Sequence, residues 1–169
     1  DRATWSTVAT PAPAPAGHNA PFFRDGVEPR DVLVAEVEGT ITGYVRLTHP
    51  YPLASSAHVL HVSGIAVAPA FQRRGVGTAL LAAAEREARG RGARRLTLRV
   101  LAHNAGARHL YERAGFVVEG VMCGEFLLDG QYRDDVLMAL DLTPMTDSPR
   151  SGTSASGASQ ARRARRGSR

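Results

Sequence analysis

The stretch from Val59 to Leu101 constrains the fold more than any other part of the chain. It begins with a strand-like apolar segment, Val59 to Val67, which Pro69 closes. The loop Gln72-Arg73-Arg74-Gly75-Val76-Gly77 then opens a helical segment, Val76 to Arg89. There Val76, Ala79, Leu80, Ala83, Ala84 and Ala88 keep one apolar stripe at helical spacing. Gly90 and Gly92 stop the helix. Leu96 to Leu101 follows as a short buried strand. Two strands joined through a helix call for a sheet with that helix packed on it.

The flanks extend the pattern. Val32 to Val37 and Ile41 to Leu47 read as a hairpin across Glu38-Gly39-Thr40, and His49 to Ala57 is a polar loop. Asn104 is placed to cap a second helix, with Ala107, Leu110, Tyr111 and Ala114 on one face and Gly115 at its end. Phe116 to Leu128 and Tyr132 to Leu142 form a second hairpin across Asp129-Gly130, a strong two-residue turn. Val136, Met138, Leu140 and Leu142 put one row of the last strand toward the core. The order β-β-β-α-β-α-β-β predicts an α/β (α+β) fold, a mixed sheet with flanking helices.

The ends differ from this middle. Residues 1–30 form a Pro/Ala-rich segment, with T-P-A-P-A-P-A-G at Thr10 to Gly17, expected to be partly ordered. Residues 143–169 are rich in Ser, Gly, Ala and Arg and are expected to be disordered. That tail holds Arg150, Arg162, Arg163, Arg165, Arg166 and Arg169 against Asp147, so it carries the whole net charge of +5. The body is charge-balanced, which argues against nucleic acid as a partner of the folded domain. Among the 169 residues there is one cysteine and hence no internal disulfide framework. No apolar run is long enough for a bilayer helix, and a secretory leader is not expected. A soluble, cytoplasmic protein is expected.

Two runs carry the chemistry. Gly75 and Gly77 lie at a helix start, where backbone amides lack intrahelical partners and the helix dipole favours an anion such as a pyrophosphate. Arg73 and Arg74 add charged donors. The alternative is a tight strand-to-helix turn that needs glycine. No Gly-Lys-Ser/Thr follows, which disfavours a nucleoside-triphosphate loop, and the spacing is not that of a dinucleotide fold. The second run, Asn104 to Phe116, reads N-x-x-A-x-x-x-Y-x-x-x-G-F and puts a tyrosine and a small residue on one helix face. One helix and one strand apart, the two runs suit a long thiol cofactor with a pyrophosphate in its middle.

In this order the two runs resemble the Gcn5-related N-acetyltransferase (GNAT) family over 31–142. The resemblance implies a mostly antiparallel sheet, with acetyl-CoA as cosubstrate and a primary amine of a small molecule or peptide as acceptor. It implies that the backbone of Ile65, Ala66 and Val67 holds the pantetheine arm, with the Val67 N–H as oxyanion donor. The amides of Gln72, Arg73, Arg74, Gly75, Val76, Gly77 and Thr78 would hold the pyrophosphate. Asn104 would bond near the pantetheine, Ala107 would leave room for it, and Tyr111 would protonate the departing thiolate. Outside the motif, Tyr111 reads more readily as a core aromatic on the helix stripe.

An attacking amine must also lose a proton. His61 is the first candidate base, expected to share a strand face with Ser63 and Ile65. Glu125 is the second. Cys123 is expected to be a packing residue, and no residue set fits a metal. Arg99 stands where the ribosomal-alanine branch of the family has a catalytic glutamate, which speaks against that mechanism. The helices that wall the acceptor site in relatives have little sequence before Val32. The start lies upstream, the wall is reduced, or a second subunit of a homodimer supplies it. Two rival readings remain: a non-catalytic acyl-CoA-binding module, and a binder of nucleic acid or acidic surfaces through the arginine tail.

Overall fold

The computed structural model describes residues 28–143. The Pro/Ala-rich segment and the arginine-rich tail lie outside the described residues, apart from a residue or a few at their inner ends. Eight regular elements follow in the order expected. They are β1 Val32–Val37, β2 Thr40–Thr48, β3 Val59–Val67, α1 Val76–Gly90, β4 Arg95–Leu101, α2 Ala105–Arg113, β5 Val117–Leu128 and β6 Gln131–Asp141. Among the described residues, no helix is long and apolar enough to cross a membrane.

The strands make one sheet in the order β1-β2-β3-β4-β6-β5. All neighbours are antiparallel except β3 and β4, which α1 joins as a parallel pair. Both hairpins turn on two residues at positive φ: Glu38 (50°) with Gly39 (76°), and Asp129 (50°) with Gly130 (73°). Two such residues match the twist of the strands they join.

α1 lies on one face of the sheet, against β1 to β4. Its Leu80, Leu81, Ala84 and Ala88 bury against Val45, Leu47, Leu60, Val62, Leu96, Leu98 and Met138. In the last turn of α2, Tyr111 is buried beside Phe116 with ring centroids 6.1 Å apart. β6 is buried on both faces. Of the expected row, Val136, Met138 and Leu142 are buried and Leu140 is half-buried, but Asp135 and Ala139 on the other face are buried as well, in a strand with β4 on one side and β5 on the other.

Two irregularities shape the sheet. Val45 pairs with Ile65 but Leu47 pairs with Val62, so Ser63 is an extra residue in β3, a β-bulge. Val45 and Leu47 are both fully buried on the α1 face, which puts Val62 and Ile65 on that face too. Their neighbours Thr48 and Arg46 pair with His61 and Gly64 on the other face. His61 and Ile65 therefore do not share a face, contrary to simple alternation, because the bulge inverts the parity of the strand beyond it. Beside this bulge, β3 leaves β4: the parallel pairing covers Val59 to Val62 against Arg95 to Leu98 and goes no further. Past it the two strands diverge and leave an opening in the sheet.

Candidate active site

The edge of that opening is backbone. The Ala68 N–H donates to the Thr42 carbonyl at 2.8 Å, which fixes the alternation of the β2–β3 ladder. By that alternation Tyr44 and Ala66 exchange hydrogen bonds, while the backbone groups of Ile65 and Val67 point away from β2, into the opening. This corrects one expectation. Ile65 and Val67 offer their backbones to a pantetheine-like arm, but Ala66 does not, because its N–H and C=O face Tyr44. An unpaired strand edge is a ready template for an extended amide-bearing ligand.

The loop after β3 is held against that edge by Gln72. Its side-chain amide donates to the Val67 carbonyl at 3.1 Å, so this side chain secures the loop. Arg73 (φ 63°) and Gly75 (φ 84°) are both left-handed, and the first helical bond is Ala79 N–H to the Gly75 carbonyl at 2.9 Å. Among the described residues, the amides from Arg73 to Thr78 find no backbone acceptor. Amides gathered by left-handed residues at a helix start form a concavity for an anion. Gly75 serves it through conformation, since a Cβ there would meet nothing within 4 Å. Gly77 works differently. A Cβ on it would lie 3.1 Å from Leu110 Cδ2 of α2 and 3.9 Å from Val67, so its bareness lets the two helices close on β3. The Arg74 guanidinium rests over the Phe71 ring, 5.6 Å from its centre. Thr78 is exposed, whereas the side chains of Val76 and Ala107 are half-buried against the core.

The other wall is α2. Asn104 caps the helix: its Oδ1 accepts from the Ala107 N–H at 3.1 Å. Asn104 and Tyr111 line a cavity of about 270 Å³, with Val100, Leu101, Arg99, Asp135 and Phe126 completing it. Burial pushes the Tyr111 phenol up to about 12, so it stays protonated at neutral pH. The cavity therefore holds a protonated phenol beside the end of β4.

His61 sits on the sheet face away from α1. Its Nδ1 is 3.0 Å from Thr97 Oγ1, and that hydroxyl donates to the Leu60 carbonyl at 3.3 Å. A threonine hydroxyl has one proton. With it committed to Leu60, Nδ1 is the donor to Thr97 and Nε2 carries the free lone pair. Burial, and behind it the Arg99 charge, hold the His61 pKa below the ordinary 6.5, while Asp135 pulls the other way. His61 is thus neutral at pH 7 and orientated as a base.

Glu125 is tied down. Its carboxylate accepts from Arg99 Nη2 at 3.1 Å, and Arg99 also bonds through Nε to the buried Asp135. Cys123, expected to pack, is exposed instead, because among the described residues nothing covers that side of the long edge strand β5. Sequence reasoning missed Asp135. It lies off the apolar row of β6, and only β5 crossing beside it makes it an interior residue.

A split sheet with an outward-facing strand edge, an amide-lined helix start and a buried tyrosine is the construction of an enzyme that handles an acyl-CoA. The chain belongs to the Acetyltransferase (GNAT) family, which it matches over residues 3–116. The match starts upstream of the domain boundary expected at residue 31. Among curated proteins the chain is similar to the uncharacterized N-acetyltransferase YhfO of Bacillus subtilis (strain 168), 34% identical over 85 residues. That match takes in 50% of this chain and 57% of the length of that relative. Among solved structures it is similar to smu.2055 of Streptococcus mutans UA159, with a TM-score of 0.71 and 29% identity over 84% of this chain and 89% of that one. It is also similar to yncA of Salmonella typhimurium, solved with its cofactor acetyl-CoA, with a TM-score of 0.64 and 28% identity over 69% and 66% of the two chains.

Proposed function

We propose that this protein is an acetyl-CoA-dependent N-acetyltransferase. It would acetylate a primary amine of a small molecule or peptide by direct attack in a ternary complex. The observation that carries the reading is the parting of β3 from β4 beyond Val62 and Leu98. The backbone groups of Ile65 and Val67 face away from β2 on one side of it, and Asn104 and Tyr111 line a cavity against the end of β4 on the other. The outward groups of Ile65 and Val67 suit the pantetheine arm, the amides of Arg73 to Thr78 suit the pyrophosphate, and Tyr111 suits the sulfur.

In the transfer the amine nitrogen attacks the thioester carbon, a C–N bond forms and the C–S bond breaks. The amine proton passes to His61 Nε2, directly or through one water. Strands rise about 3.3 Å per residue, so of the two outward N–H groups Ile65 lies nearer His61 than Val67 does. A base and an oxyanion donor must serve the same carbon, and Ile65 is therefore the better oxyanion donor. A phenol at about 12 does not protonate an ordinary thiolate, whose conjugate acid lies near 8.5. Tyr111 instead donates a hydrogen bond to the leaving sulfur, and the thiolate takes its proton from His61 or from water.

The test is thiol release from acetyl-CoA across amino acids, polyamines, aminoglycosides and short peptides. Release with one acceptor class is expected. Tyr111→Phe should lower kcat by about 10²–10³-fold, the usual loss for one transition-state donor, without weakening acetyl-CoA binding. No release from any amine, with acetyl-CoA still raising Tm, would make the protein a non-catalytic acyl-CoA-binding module.

A further inference from the structure

Two arginines stand on the sheet face that carries His61, and they are in opposite electrical situations. Arg99 is neutralised by two carboxylates, Asp135 and Glu125. Arg46 has none: among the described residues no acid lies within ion-pairing distance of it. It is half-buried, and its partners are neutral. Nε donates to Ser63 Oγ at 2.8 Å, and Nη2 reaches the Ser63 carbonyl at 3.5 Å. Ser63 is the bulged residue at which β3 leaves β4, so the guanidinium is fixed at the mouth of the opening. Arg46 pairs across from Gly64, between the levels of His61 and Ile65 on the same ladder.

A half-buried cation without a counter-charge is costly unless a ligand completes it. The remaining N–H groups of the fork match a carboxylate. Resting on the acetyltransferase reading above, we infer that Arg46 binds a carboxylate of the acceptor, so that the acceptor is an amino acid rather than a polyamine or a peptide N-terminus. The carboxylate on Arg46 places the neighbouring amine toward His61 and the thioester carbon. A polycation is repelled by the same charge, and a peptide N-terminus offers a neutral amide where the site expects an anion. Arg46 is then a specificity residue, and Ser63 positions it.

The experiment measures kcat/KM with amino acids and with the matching amino-acid amides, for the wild type, Arg46→Gln and Arg46→Lys. The wild type should prefer the acid over its amide by roughly ten- to a hundredfold, the worth of a charge-assisted hydrogen bond. Arg46→Gln should bring that ratio near one, and Arg46→Lys should restore part of it by returning charge without the fork. The ratio is the decisive readout, because a bulge merely loosened by the substitution lowers both substrates together. A wild type that turns over amides or polyamines as well as acids overturns the inference, even if Arg46→Gln fails to fold, and leaves the acetyltransferase reading standing. A ratio that survives Arg46→Gln overturns it equally. Absence of thiol release with every amine defeats the acetyltransferase reading itself, and this inference with it.

Discussion

The two halves of the site are built from different material. The half that suits the cofactor is backbone: outward groups of Ile65 and Val67, free amides from Arg73 to Thr78, and left-handed residues that aim them. The half proposed for the acceptor is side chains: His61 on Thr97, Arg99 between Asp135 and Glu125, Arg46 on Ser63. Backbone donors depend on glycines and helix starts, and these leave short signatures in sequence. Side-chain donors depend on which strand lies beside which, and a bulge or a neighbouring strand decides that. The difference predicts a clean division of effects. Substitutions in the side-chain half should change turnover, and those in the backbone half should change acetyl-CoA affinity.

The largest effect tests the side-chain half. His61→Gln should lower kcat/KM by about 10²–10⁴-fold, the usual contribution of a general base. Acetyl-CoA affinity should stay as in the wild type. The wild-type profile of kcat/KM against pH should climb to its plateau with a limb below 6.5, since burial and Arg99 lower the His61 pKa. The variant should lack that limb and keep any alkaline limb that belongs to the acceptor amine. An unchanged acid limb in the variant would remove His61 from the chemistry. A large loss of acetyl-CoA affinity would break the division between the halves.

A smaller effect tests the backbone half. Gly75→Ala introduces no contact, because a Cβ there meets nothing within 4 Å. It asks only for a left-handed alanine at φ 84°, which costs about 1–2 kcal/mol. The loop either keeps its shape at the expense of Tm or relaxes and scatters its amides. Acetyl-CoA affinity should weaken about five- to thirtyfold at most, the equivalent of that strain, with kcat at saturating cofactor little changed. Calorimetric titration with acetyl-CoA measures it. A change in kcat with unaltered affinity would contradict the division. Gly77→Glu is a poorer probe, because Leu110 Cδ2 lies 3.1 Å from the new Cβ and packing would suffer along with binding.

The same division explains what could be read in advance. Element order, both hairpins and the Asn104 cap follow from local signals: Asp129-Gly130, an apolar stripe from Val76, a capping residue at a helix start. The backbone of Ala66 turns to Tyr44 by the ordinary alternation of an antiparallel ladder, while the face of Ile65 is inverted because nothing in V-L-H-V-S-G-I-A-V announces an extra residue at Ser63. Gly64 beside it is the only hint, since an isolated glycine in a strand often marks a bulge. Asp135 and Arg46 were missed for a related reason. Each acquires its role from a strand distant in sequence, Asp135 from β4 and β5, Arg46 from the bulged β3. Local pattern reports what a residue prefers, and topology decides what it meets.

The smallest effect separates the halves by pH. His61 has a folded pKa below its unfolded value near 6.5, because burial and Arg99 disfavour its charged form. Above 6.5 it is neutral in both states and its contribution to stability does not vary. As pH falls through 6.5 the unfolded chain takes up a proton that the folded protein refuses, so the unfolded state gains and stability drops. The drop ends once pH passes the folded pKa, where both states are protonated. Asp141 acts elsewhere: the Thr143 hydrogen bonds hold its carboxyl below 3.8, so its stabilisation is lost only in stronger acid. The wild-type Tm should therefore fall on acidification just below 6.5, and His61→Gln should flatten that part of the curve. In Gly75→Ala the strain involves no proton, so its Tm should run parallel to the wild type through the same window. Parallel curves for His61→Gln would mean that another group sets the slope, and convergent curves for Gly75→Ala would mean that the loop is coupled to a titrating side chain after all.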